Sequence, residues 1–148
     1  MEYPVENNRL LDFRKLGFAV TWSLISFGLD YDEMYNLNLN LIDVVDFCKI
    51  VVGLKSDHQN EIIQIICEED DLACVKKKVI EFSKNQENQF DINARKWRAF
   101  ILYEKLFEQH VFNLVDLYDF WLTFGDVKPV PEFYPYNAVT FLSQEKRK

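Results

Sequence analysis

The amino-acid sequence predicts an all-α fold: a single domain over 1–148, built of about six to seven helices with an extended Pro- and aromatic-rich segment at 128–136 packing on them. Three observations lead there. The chain carries 13 Phe, 7 Tyr and 3 Trp against only four Gly and four Pro, so bulky rings must be buried between elements that few breakers interrupt. Apolar residues recur at helical spacing in one segment after another. Polar residues able to accept the free N–H groups of a first turn stand at the heads of several of these segments.

Leu10, Leu11, Phe13 and Leu16 predict a short first helix ending near Gly17. Thr21 then caps a segment carrying Trp22, Leu24, Ile25 and Phe27, with Gly28 as its stop. From Leu29 to Asn40 the chain is acidic and amide-rich, and Leu37, Leu39 and Leu41 alternate with Asn36, Asn38 and Asn40. Alternation is a strand signal, but no second strand is evident to pair with it, so an extended lead-in to the next helix is the preferred reading. Asn40 caps a helix through Val52, with Asp43 three residues in, favourable to the N-terminal dipole, and Gly53 just past the end. Leu41, Val44, Val45, Cys48, Val51 and Val52 form its expected buried stripe. Ser56 and Gln59 open another helix in capping-box register, whose near-continuous Ile62, Ile63, Ile65 and Ile66, with Cys67, predict a central position.

After the run Glu68, Glu69, Asp70, Asp71, an amphipathic helix is expected from the spacing of Leu72, Val75, Val79 and Phe82, with Lys76, Lys77 and Lys78 mostly outward. The polar segment 83–90 is the linker candidate. Asp91 starts the longest helix, to about His110, holding Trp97, Phe100, Ile101, Leu106 and Phe107. Asn113 with Asp116 caps the last major helix, with Leu114, Leu117, Phe120, Trp121 and Phe124 inward and Gly125 at its end. Pro129, Pro131 and Pro135 then restrict the chain to extended conformations, with Phe133, Tyr134 and Tyr136 interleaved, before a short final helix from Asn137.

The formal charge is −7, and because residues 145–148 are net basic the body before them is more acidic still. Such a surface repels phosphate backbones and argues against direct nucleic-acid binding. Cys48, Cys67 and Cys74 are an odd count without framework spacing and read as small core hydrophobes, not as disulfides or nucleophiles. The N-terminal residues show no signal-peptide pattern and no apolar run reaches membrane-spanning length, so a cytoplasmic protein without membrane contact is expected.

Chemistry-bearing motifs are lacking. His58 and His110 stand in no motif, and both read as structural or solvent-exposed. Asp30, Tyr31, Asp32, Glu33 begin like a calcium loop, yet Met34, Tyr35 and Leu41 occupy positions that need an oxygen ligand, a glycine and a closing glutamate. Asp43/Asp46 and Asp116/Asp119 are paired at one-turn spacing, without the Glu-x-x-His partners of a di-metal bundle. No catalytic, cofactor-binding or metal-binding residue is expected, and no cofactor.

The residues Thr21, Trp22, Ile25, Phe27, Gly28 and Leu29 near one end, and Phe120, Trp121, Phe124, Gly125, Pro131, Phe133, Tyr134 and Pro135 near the other, resemble a family of small helical bacterial proteins known as domain of unknown function 2247. The resemblance covers two short apolar and aromatic blocks, and the spacing between the second and third helices departs from it. It implies a shared fold and carries over no catalytic residue.

The expectation is a non-catalytic binding protein: an immunity protein that neutralises a cognate bacterial toxin, a nuclease with a basic substrate surface, by charge complementarity. Glu68, Glu69, Asp70 and Asp71, joined by Asp30, Asp32 and Glu33, are the expected contact residues, with exposed Tyr31 or Tyr35 as the anchor. The alternatives are a helical scaffold or regulatory adaptor, self-associating through the aromatic tail, and acidic clusters that do no more than keep their loops solvated.

Overall fold

The computed structural model describes residues 8–54, 59–84, 90–108 and 114–124. In chain order the helices are α1 (Arg9–Lys15), α2 (Trp22–Asp30), α3 (Asp32–Tyr35), α4 (Leu41–Val51), α5 (Gln59–Cys67), α6 (Leu72–Lys84), α7 (Phe90–Tyr103) and α8 (Leu114–Thr123), with a π-helical segment, Glu104–Glu108, directly after α7. The chain is all-α: no strand occurs among the described residues. These residues group into two compact units. One holds the described residues up to Asp30 and those from Asn38 to Lys84; the other holds residues 31–37 and those from Phe90 to Phe124. Ser56, His58, positions 85–89 of the expected linker, His110, Asn113, Gly125, the three later prolines, Phe133, Tyr134, Tyr136 and the expected helix from Asn137 lie outside the described residues.

The first unit is assembled by caps and then by apolar stripes. The Asn8 side chain accepts from Leu11 N at 3.0 Å, satisfying a first-turn donor of α1, and its amide donates to Asp43 O at 3.0 Å, which ties α1 to α4. Gly17 ends the turn after α1 with φ of +95°, a conformation that glycine adopts without strain. Thr21 Oγ1 accepts from Leu24 N at 3.1 Å and starts α2 as expected. Gly28 does not stop that helix. It lies buried inside α2, which continues to Asp30, because the burial of Leu24, Ile25 and Phe27 outweighs the small propensity cost of one glycine.

Asn40 and Asp43 close a full capping box at the head of α4, with Asp43 N donating to Asn40 Oδ1 at 2.9 Å and Asn40 N donating to Asp43 Oδ2 at 3.3 Å. Burial nevertheless raises the Asp43 carboxyl above its ordinary range, outweighing the cap hydrogen bond and the nearby Arg9 charge. Val44, Val45, Phe47, Cys48 and Val51 are the buried face of α4, while Leu41 and Val52 are only half-buried. Phe47 was absent from the expected stripe.

Helix α6 packs on α2, α4 and α5, and α5 also packs on α4. Its stripe Val75, Val79 and Phe82 is buried, and Phe82 meets the Trp22 ring at 5.2 Å. Full burial of a side chain of that size contributes roughly 1.5–3 kcal/mol. Helix α5 is not central. Only Ile62 and Ile65 are buried, whereas Ile63 is 47 % exposed and Cys67 is exposed. Two positions three apart suffice to face α4 and α6, and the remaining isoleucine side chains fall beyond that contact.

In the second unit the expected extended stretch after Leu29 contains helix α3. Asn36 ends it in the left-handed conformation (φ of 55°), and Asn38 repeats that geometry (φ of 60°) at the start of the first unit's second segment. Leu37 and Leu39 are buried while Asn36, Asn38 and Asn40 are exposed, so the alternation is a real division of inside from outside without a strand. Along α7, Asn93, Ala94, Trp97, Arg98, Ala99, Phe100, Ile101 and Leu102 are all buried. The π-helical segment holds an extra residue in its turn. Leu106 is buried, and Phe107, expected inside, is 46 % exposed against the ring of Tyr103. Helix α8 buries Phe120 and, just beyond its end, Phe124; Trp121 is half-buried.

Candidate functional site

The acidic run at 68–71 forms the turn from α5 to α6. Its backbone is held by Glu68 N donating to Ile65 O (3.1 Å), Glu69 N to Ile66 O (3.2 Å) and Asp71 N to Glu68 O (2.9 Å). The last carboxylate has a structural task. Asp71 accepts from Cys74 N at 3.4 Å and from the Cys74 thiol at 3.2 Å, capping α6. Those hydrogen bonds, the thiol's first, hold the Asp71 carboxyl below the ordinary range and push the Cys74 thiol up. Lys49 of α4 pairs with Glu69. Across the same two helices the Lys78 ammonium donates to Gln64 Oε1 at 3.1 Å.

The result is a hydrogen-bonded platform with Glu69, Asp70 and Asp71 exposed and Glu68 half-exposed. Of the four, only Glu69 has a salt-bridge partner among the described residues. The carboxylates do not converge on a cation: among the described residues no group of three or more His, Cys, Asp or Glu is placed to hold a metal ion.

The other acidic stretch behaves differently. Asp30 and Glu33 are exposed, and Tyr31 and Asp32 are half-buried. Tyr35 is 2 % exposed and stacks on Phe124, with ring centroids 4.9 Å apart and planes 7° apart. The expectation of an exposed Tyr35 anchor is therefore overturned: its ring belongs to the core of the second unit, because a large aromatic ring stacked on Phe124 gains more from burial than from exposure. Tyr31 packs edge-on against Phe90 at 5.5 Å and keeps a partly accessible ring.

The cysteines divide too. Cys48 is fully buried and its thiol is pushed up to about 12 by desolvation, whereas Cys67 is exposed and Cys74 half-exposed, contrary to a core role for all three.

Sequence reading missed a stripe on α8. Val115, Tyr118 and Leu122 are 71 %, 60 % and 63 % exposed and stand at helical spacing on one face. The signal was present in the chain, since these are the apolar positions left over once Phe120 and Phe124 are assigned inward. It also missed Arg98 and Asn93, both buried in α7.

No protein-family model, curated protein or solved structure matches this chain. No helix among the described residues is long and apolar enough to cross a membrane.

Proposed function

We propose that this chain is a non-catalytic binding protein of the cytoplasm, an immunity protein that neutralises a cognate bacterial toxin by laying its acidic turn on the toxin's basic substrate surface. The observation that carries this reading is the turn at 68–71: consecutive carboxylates, held by backbone hydrogen bonds and presented to solvent between two packed helices. Like charges so placed repel one another, and a surface bearing Lys and Arg relieves that repulsion while steering the encounter. A nuclease that must hold a phosphate backbone has such a surface. Glu68, Glu69 and Asp70 are the contact residues; Asp71 contributes charge and holds the turn. Asp30 and Glu33 supply a further acidic edge, and Tyr31 a partly accessible ring.

The test is genetic and then kinetic. The C-terminal domain of an exported protein encoded beside this gene should stop growth when expressed in the cytoplasm, and co-expression of this chain should restore it. Rescue that survives simultaneous charge reversal of Glu68, Glu69 and Asp70 would remove the turn from the interface. Failure of any adjacent product to be toxic would remove the toxin reading altogether.

A second reading, a self-associating helical scaffold or adaptor, is favoured by one observation, the exposed stripe Val115, Tyr118 and Leu122 on α8. Contiguous apolar surface of that kind marks interaction sites. Sedimentation over a concentration series decides it: dimerisation abolished by Leu122→Asp supports the scaffold, and a monomer throughout excludes it.

A further inference from the structure

The first unit contains a cavity that neither acidic cluster touches. Its volume is about 220 Å³, and it is lined by Arg14 at the end of α1, by Phe18, Ala19 and Val20, by Trp22 and Ile25 of α2, by Phe47, Cys48 and Val51 of α4, and by Ile62 of α5. Arg14 and Ala19 are exposed, so the cavity reaches solvent on their side; Phe18, Ile25, Phe47, Cys48, Val51 and Ile62 are buried and make the interior apolar. Two polar features interrupt that lining. One is the lining residue Arg14, whose guanidinium has no carboxylate partner among the described residues. The other is Trp22, which is 5 % exposed and whose buried Nε1 finds no hydrogen-bond acceptor among the described residues. A buried N–H without an acceptor is costly and rare in a well-packed unit, and indole nitrogens usually find a partner.

We propose that this cavity is a binding site for a small apolar monocarboxylic acid. The chemistry follows from the lining. The apolar walls take a hydrocarbon body, and the size restricts it: an apolar cavity of roughly 150 Å³ holds one benzene ring, so a tail of about six carbons fits here. A carboxylate then supplies two acceptor oxygens, one for the Trp22 N–H and one for Arg14. A purely apolar occupant leaves the indole unsatisfied. A nucleotide is too large for the cavity, and a doubly charged phosphate ester would meet a single cation among otherwise apolar side chains. The site is independent of the toxin-binding reading, since it shares no residue with 68–71 and needs no macromolecular partner.

Hexanoate and hexan-1-ol, which share a tail and differ in the head group, test this in the full-length ¹⁵N-labelled protein. The Trp22 indole N–H resonance is identified by its loss in Trp22→Phe, a substitution that keeps a ring against Phe82. Hexanoate should move that resonance saturably and downfield as the N–H gains an acceptor, and, by stabilising the folded unit, should slow the alkylation of Cys48 that accompanies unfolding. Arg14→Gln, at an exposed position the fold does not need, should weaken hexanoate about three- to tenfold, the range for a partly exposed ion pair with a charged hydrogen bond, and leave hexan-1-ol unchanged. A resonance that hexanoate does not move up to its solubility limit overturns the proposal. So does equal binding of hexanoate by the parent and Arg14→Gln proteins, which reduces the cavity to an apolar void.

Discussion

Between α5 and α6, residues 68–71 turn their carboxylates to solvent, while in residues 30–35 the chain folds Tyr35 into a stack with Phe124 and leaves Tyr31 and Asp32 half-covered. Both stretches are acidic, and both link helices. The difference lies in what is interleaved with the charge. Four carboxylates in succession offer nothing to bury, so the turn is shaped by its backbone and by the cap that Asp71 makes on α6. Two tyrosines among the carboxylates at 30–35 carry enough apolar area to fold the segment inward at Tyr35. Acidic sequence marks a display surface only where no large ring competes for the interior.

The largest expected effect breaks the buried side of this contrast. Tyr35→Ala should lower the unfolding free energy by about 3–5 kcal/mol, the cost of removing a buried aromatic ring, measured by urea denaturation. Little change in stability together with lost binding would return Tyr35 to the interface. Next, Glu68→Lys, Glu69→Lys and Asp70→Lys combined should slow association with the proposed toxin partner by about 10- to 100-fold at low salt and flatten its salt dependence, with stability nearly unchanged. The matched reversal of Asp30, Asp32 and Glu33 should change association less, because only Asp30 and Glu33 of that set are exposed.

A smaller effect separates charge from structure at Asp71. Asp71→Ala should lower the melting temperature, whereas Asp71→Ser, which keeps a capping oxygen, should restore most of it. The sign of the pH dependence follows from the Asp71 carboxyl, held low by hydrogen bonds from Cys74. A carboxyl depressed on folding stabilises fully above its unfolded pKa, and that contribution disappears as pH falls through the depressed folded value. Melting curves between neutral and acid pH should therefore show Asp71→Ala losing less on acidification than the parent. Smallest of these, Lys49→Gln should cost about 0.5 kcal/mol, as expected for a partly exposed ion pair, and leave Glu69 unpaired.

Thiol chemistry sharpens the same distinction between covered and displayed residues. At pH 8 a thiol reagent should modify Cys67 quickly, Cys74 more slowly because Asp71 holds its proton, and Cys48 only on unfolding, its thiol being pushed up to about 12. A burst that includes Cys48 in the native protein would contradict its burial.

Much of the local architecture can be read along the chain. The caps at Thr21 and Asn40, the turn at Gly17 and the stripe Val75, Val79, Phe82 stand where composition and spacing place them. Of the candidate surface, the exposure of Glu69, Asp70 and Asp71 was legible because a run of charges has no buried alternative. The burial of Tyr35 was not, because it depends on Phe124, which lies far along the chain. Neither was the peripheral placing of α5, whose isoleucines look central until its neighbours are known to cover only Ile62 and Ile65. The π-helical segment Glu104–Glu108 leaves no mark in a sequence whose spacing suits a continuous α-helix.

By itself, then, the amino-acid order determined that this chain is helical, where several of its helices begin, and that one turn is densely negative. Hydrogen bonds to a first turn, dipole complementarity and side-chain periodicity are all settled within a few residues of one another. Tertiary structure alone decided which apolar faces are covered, which cysteine is sealed, and that a cavity lined mostly by apolar side chains, with Trp22 and Arg14 among them, exists in the first unit. Burial depends on the total area removed from water by segments distant in sequence, and no local rule carries that information.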